Sequence, residues 1–89
     1  MLATNAWVAG YELDLVARRG GTIVFCEVKS KTGTGFGDPL EMVTPEKVRR
    51  VRRAAEAWLA AHPDFSRLLV RFDVIVVRGR RLECLRSAF

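Results

Sequence analysis

Histidine is almost absent: His62 is the only one in 89 residues. It sits beside Pro63 at the end of a helical stretch, where such a side chain more often caps the last turn than catalyses. With no second histidine and no nucleophile in a recognisable setting, Ser/His/Asp and Cys/His catalysis drop out as readings. Cysteine is scarce as well. Cys26 and Cys84 both fall in apolar, strand-like runs without metal-ligand spacing, and they read as reduced core residues. No apolar run approaches the length of a membrane span, and Met1-Leu2-Ala3-Thr4-Asn5 lacks the basic start and apolar stretch of a signal peptide. The expectation is a cytoplasmic chain without a membrane partner. No repeat or linker interrupts it, and the length allows one domain, residues 1–89, around a single core. Acidic residues are the minority charge, 10 against 15 basic, and the resulting net charge of +5 favours a polyanionic partner such as nucleic acid.

What the chain does have is a hairpin. Glu12-Leu13-Asp14-Leu15-Val16-Ala17-Arg18 and Ile23-Val24-Phe25-Cys26-Glu27-Val28-Lys29 are β-prone runs separated at Gly20-Gly21. If the two glycines form the loop, Arg19 pairs with Thr22, Asp14 falls opposite Glu27, and Glu12 falls opposite Lys29. Alternation then puts these four charged residues on one face, at the end away from the turn. The strands are otherwise apolar on both faces, apart from Arg18, and unpaired charges at such a place are costly. Directly opposite Cβ atoms lie roughly 5 Å apart. Asp14 and Glu27 are thus close enough to grip one divalent cation, and two such carboxylates repel each other without one. A purely structural ion-pair cluster, with Lys29 answering Glu12, is the other reading.

Around the hairpin, Leu2 to Val8 suggests a short strand, placed at the sheet edge, with Ala9-Gly10 turning into the hairpin. Ser30 to Pro39 reads as a loop. Its Gly33, Gly35 and Gly37 match neither the dinucleotide fingerprint nor the phosphate-loop ending, which leaves a mobile connection or a flap carrying Lys31 and Phe36. Thr44-Pro45-Glu46 starts a helix, with Thr44 as N-cap and Pro45 at the first position. Val48, Val51, Ala55, Trp58 and Leu59 give it an apolar stripe as far as His62-Pro63. Lys47, Arg49, Arg50, Arg52 and Arg53 crowd its first half, and only Glu46 and Glu56 are at hand to neutralise them. The cluster suits phosphate contact, and it equally suits a solvated helix face. Leu68 to Val77 reads as a buried strand in which Asp73 needs a partner, Arg71 being nearest. Gly79 turns the chain into a short last strand, Leu82 to Leu85.

These motifs resemble the bacterial endonuclease-like YraN family (UPF0102), which is related to Holliday-junction resolvases in the PD-(D/E)XK nuclease superfamily. The likeness rests on Glu12-Leu13-Asp14-Leu15-Val16-Ala17-Arg18 with Val24-Phe25-Cys26-Glu27-Val28-Lys29. It extends to Asn5-Ala6-Trp7, Phe36-Gly37-Asp38-Pro39-Leu40-Glu41, Val43-Thr44-Pro45, Arg49-Arg50, Ala54-Ala55 and Arg71-Phe72-Asp73-Val74. It implies an α/β fold of α+β type with a restriction-endonuclease-like core: a mixed central sheet, an antiparallel hairpin carrying the site, and one main helix packed on the sheet. Asp14 and Glu27 are thereby implied as ligands of Mg²⁺ or Mn²⁺ and Lys29 as the group that orients or activates water, while Glu12 matches a position of less defined role. The implied activity is metal-assisted hydrolysis of DNA phosphodiester bonds, branched or structured DNA included; the basic residues Lys31, Lys47, Arg49, Arg50, Arg52 and Arg53 are the candidates for contacting the nucleic acid. A non-catalytic nucleic-acid-binding module or an assembly subunit on the same fold is the alternative. Members of the family begin with a helix that carries a further glutamate from a Gly-Glu segment, and this sequence starts past it. One sheet face is then expected to lack its cover, and exposed apolar surface finds a partner. A homodimer, or an exchanged strand or helix, is the expectation.

Overall fold

The computed structural model describes residues 1–31 and 44–87. Strands β1 (Ala3–Val8), β2 (Tyr11–Arg19), β3 (Thr22–Lys31), β4 (Leu69–Arg78) and β5 (Arg81–Leu85) form one sheet in chain order, and helix α1 (Pro45–Ala61) lies between β3 and β4 in sequence. Every pairing is antiparallel except β3 with β4, which run parallel. The architecture is therefore the expected mixed sheet with one main helix, an α+β fold.

The local chemistry accounts for these elements. Gly20 sits at φ +60°, a conformation open to glycine at little cost, and the turn sets Arg19 opposite Thr22 and Leu15 opposite Cys26. At the start of α1 the Thr44 hydroxyl accepts the Lys47 N–H at 3.1 Å and Pro45 occupies the first turn. At its end the ring of His62 stacks on Trp58 at 3.9 Å, and its Nδ1 lies 2.7 Å from the Trp58 carbonyl oxygen. The lone histidine thus works as a helix cap.

The core forms between α1 and one face of the sheet. Val51, Ala54, Ala55 and Trp58 from the helix meet Leu13, Val16, Ile23 and Phe25 from the hairpin. Phe25 is its centre: it meets Trp58 edge-on at 5.9 Å and stacks with Phe72 at 5.6 Å. Truncating either Phe25 or Trp58 to alanine would cost on the order of 3–5 kcal/mol. The opposite sheet face carries no helix among the described residues. By register it presents Val28, Leu69 and Leu82, all exposed.

Two expectations need correction. Ser30 and Lys31 belong to β3 and not to a loop, because parallel pairing with β4 continues through Ser30 with Val77 and Lys31 with Arg78. Gly33, Gly35, Phe36 and Gly37 lie outside the described residues. Cys84 is not a core residue: it is exposed on the edge strand β5, whereas Cys26 in the centre of the sheet is half-buried, and both are free thiols.

Candidate active site

Strict alternation along β2 would put Leu13 and Val16 on opposite faces, yet both are buried in the one core under α1. The strand reverses its facing at Asp14. In β1 the partner position is Asn5, at φ +49°, and the pairing skips it: Thr4 pairs with Leu15 and Ala6 with Leu13. On the other side the β2–β3 ladder stops at Leu15 and Cys26. Beyond that point the Asp14 carboxylate accepts the Val28 N–H at 2.9 Å, supplying an acceptor for a donor of β3 that faces β2.

This reversal decides which residues meet. Glu27 follows Ile23 and Phe25 on the helix-side face and is 5 % exposed, a buried carboxylate. Tyr11, brought to the same face by the reversal, donates from its hydroxyl to Glu27 Oε1 at 2.6 Å. Lys47 Nζ approaches Glu27 Oε2 to 3.6 Å from the first turn of α1. Lys29 shares this face and lies next to Lys47, close enough to lower that lysine's pKa. Asp14 stands at the margin of the group, its charge felt at the Tyr11 phenol. Glu12 is not brought in. It pairs with Trp7, which is 72 % exposed, and alternation from buried Leu13 turns both toward the face without a helix. Of Glu12, Asp14, Glu27 and Lys29, the last two share the site face, Asp14 flanks it through the Val28 amide, and Glu12 points away.

The electrostatics follow the burial. The phenol of Tyr11 is pushed well above its ordinary pKa, first by desolvation, then by its hydrogen bond to Glu27 and the negative charges of Glu27 and Asp14, with Arg50 opposing. It acts as a neutral donor at any physiological pH. Lys47 is pulled below the usual lysine value by desolvation and by Lys29, against the attraction of Glu27. Among the described residues no three or more His, Cys, Asp or Glu side chains converge as a group that could hold a metal ion. A cation bound here would rely on Asp14 and Glu27, an all-oxygen side-chain pair of the kind that suits Mg²⁺ or Mn²⁺.

The basic residues of α1 divide. Lys47 turns inward to Glu27, whereas Arg49, Arg50, Arg52 and Arg53 are exposed. Arg50 binds Glu46 at 2.7 Å, and Arg52 lies over the Phe72 ring at 5.2 Å. Arg50 and Arg53 line a cleft of about 380 Å³ with Ala9, Gly10 and Tyr11. A smaller cleft of about 200 Å³ is bounded by Tyr11, Thr44, Glu46, Lys47 and Arg50. Tyr11 borders both clefts, so an arginine-lined surface runs up to the Glu27 group. The Lys31 side chain lies outside the described residues. Sequence reasoning missed Tyr11, because simple alternation from Asp14 places it on the wrong face. A tyrosine three residues ahead of a strand carboxylate is a signal only once the reversal is known.

Residues 1–77 match the uncharacterised protein family UPF0102. A UPF0102 protein of Acidothermus cellulolyticus is 43 % identical over 103 residues, spanning 100 % of this chain and 78 % of its own length. One from Alkalilimnicola ehrlichii is 45 % identical over 89 residues, with 100 % and 71 % covered. One from Mycolicibacterium smegmatis is 52 % identical over 83 residues, covering 90 % of this chain and 65 % of its own length.

Proposed function

This chain belongs to the UPF0102 family, and from that premise we propose that it is a metal-dependent endonuclease hydrolysing DNA phosphodiester bonds at the Glu27 group. The observation that carries the reading is Glu27 itself: a buried carboxylate facing a tyrosine hydroxyl and an ammonium 3.6 Å away, with a second lysine beside them. A carboxylate kept for stability alone is normally closed by short, saturating hydrogen bonds. Glu27 and Asp14 are the residues that would hold Mg²⁺ or Mn²⁺. Such an ion, when bound, supplies charge stabilisation at the phosphoryl oxygen and acidifies a water. Lys29 orients that water or neutralises the scissile phosphate. Tyr11 fixes one oxygen of Glu27. Arg50 and Arg53, with Arg49, Arg52, Lys31 and Lys47 around them, draw the DNA backbone along the clefts of α1. Glu12, on the other face, takes no part in the chemical step.

The test is cleavage of linear, flapped and four-way DNA with Mg²⁺ or Mn²⁺. Asp14→Ala, Glu27→Gln and Lys29→Ala are each expected to reduce the rate by about a thousandfold, some 4 kcal/mol of barrier, while circular dichroism stays that of the parent. Undiminished cleavage in these variants would overturn the proposal. A second reading is favoured by one observation: Lys47 already compensates Glu27, as it would in a non-catalytic nucleic-acid-binding module. Calorimetry separates the two, because the module takes up no Mn²⁺ yet binds DNA with steep salt dependence.

A further inference from the structure

We propose that Lys47 is a resident counter-cation that holds the place of the divalent ion at Glu27 and must swing away before that ion can bind. The inference rests on the metal-dependent reading above.

Three features of the geometry carry it. The ammonium sits 3.6 Å from Glu27 Oε2, outside hydrogen-bond reach, so charge attraction holds it there without a short directional bond to that carboxylate. The other oxygen, Oε1, is taken by the neutral Tyr11 hydroxyl at 2.6 Å, which orients the carboxylate but leaves its charge for Lys47 to balance. Lys47 is also crowded by Lys29, a like charge on the same carboxylate face. A second ammonium set beside the one that answers a buried carboxylate is a poor arrangement for stability alone. The pair makes sense where one lysine serves the reaction and the other gives way to a second positive charge.

The exit path is present. The backbone of Lys47 is pinned by the bond from its N–H to Thr44 Oγ1 at 3.1 Å, so only its flexible side chain has to move. It borders the 200 Å³ cleft alongside Tyr11, Glu46 and Arg50, which gives the side chain room on the side away from the sheet. A displaced Lys47 would point into the cleft where a DNA phosphate is proposed to lie, so that ion entry adds a cation to the substrate side.

The experiment is Mn²⁺ binding by calorimetry to the intact chain. Lys47→Met should tighten Mn²⁺ by about tenfold, as expected for removing a like charge a few ångströms from a divalent ion where water in the adjoining cleft screens it almost as bulk water does. Arg50→Met, which also removes one charge near the site, should change the affinity by less than about threefold because that side chain is exposed and paired with Glu46. Asp14→Ala should abolish binding. Equal effects of Lys47→Met and Arg50→Met would reduce the result to net charge and overturn the inference, as would an unchanged or weakened affinity in folded Lys47→Met. Should Lys47→Met fail to fold, the unmutated protein decides the matter through its lysine side-chain carbon resonances on addition of Mg²⁺. The Lys47 ε-carbon is expected to shift most, and an unmoved signal under saturating Mg²⁺ overturns the inference while leaving the metal site intact. Absence of Mn²⁺ and Mg²⁺ binding in every form overturns both the inference and the metal-dependent reading.

Discussion

Two carboxylates are buried in adjacent strands, and they are treated in opposite ways. Asp73 on β4 is 2 % exposed and closed on several sides. Arg71 grips it with a guanidinium fork at 3.0 Å to each oxygen, the Ser87 N–H donates at 3.0 Å, and Cys84 Sγ lies 3.9 Å away. Among the described residues Glu27 on β3, facing the helix, has one short bond from Tyr11 and a loose ammonium. The fork at Asp73 reciprocates: its carboxylate raises the pKa of Arg71 further and leaves no place for a further cation. Burial alone does not distinguish the two acids. What separates the two is how completely the partners are fixed.

That contrast is broken first by paired substitutions. Asp73→Ala removes the acceptor of a charged fork and of the Ser87 amide in one step, and it should cost about 3 kcal/mol, a fall in Tm on the order of 15 °C. Glu27→Gln keeps an acceptor for Tyr11 and should change stability by less than about 1 kcal/mol, while the proposed cleavage is expected to stop. Thermal denaturation of both variants decides it. Equal losses would make Glu27 a structural acid like Asp73.

The cysteines probe the Asp73 side next. Cys26 pairs across the sheet with Asp73, and its thiol is pushed from 9.0 up to about 11, by burial first and by the Asp73 charge second. Cys84 is exposed. At pH 8 the thiolate fraction of Cys26 is lower by roughly a hundredfold than at an ordinary site, so iodoacetamide should label Cys84 well before Cys26, as peptide mass spectrometry would show. The sign for stability follows: the folded state favours the protonated thiol, so this contribution is complete below pH 9 and is lost as pH rises through about 11. Labelling of Cys26 at the Cys84 rate would mean that this part of the sheet opens readily.

Much of this arrangement was legible in residue order. Gly20-Gly21 marked the turn and its register, Thr44-Pro45-Glu46 marked the helix start, and the need of Asp73 for a partner pointed to Arg71. These are local signals, complete within a few residues. What escaped depends on several strands at once. The reversal at Asp14 needs Asn5 of β1 at positive φ and the Val28 amide of β3 together, and no period in β2 announces it. It is the reason that Tyr11 joins Glu27 and Glu12 does not. Lys47 reads as one of five helix cations, yet its side chain turns inward to Glu27 while the arginines stay exposed. Cys84 looked like core because its strand is apolar, but β5 is an edge strand with no helix over it among the described residues.

The smallest effect tests whether the looseness at Glu27 is set by the helix start. The Thr44 hydroxyl accepts the Lys47 N–H, so the cap holds the residue whose side chain answers Glu27. Thr44→Ala should cost about 1 kcal/mol, as loss of an N-cap generally does, and Thr44→Ser should restore most of it. The first turn frays without the cap, Lys47 holds Glu27 less tightly, and Mn²⁺ affinity should rise a few-fold, in the direction of Lys47→Met but less far. Among the described residues Asp73 is held by Arg71, Ser87 and Cys84, none of them in this turn, so the labelling rate of Cys26 should stay unchanged. A stability loss with an unaltered Mn²⁺ isotherm would show that Lys47 is held by Glu27 alone, and the difference between the two acids would then lie in the strands, with the helix start playing no part.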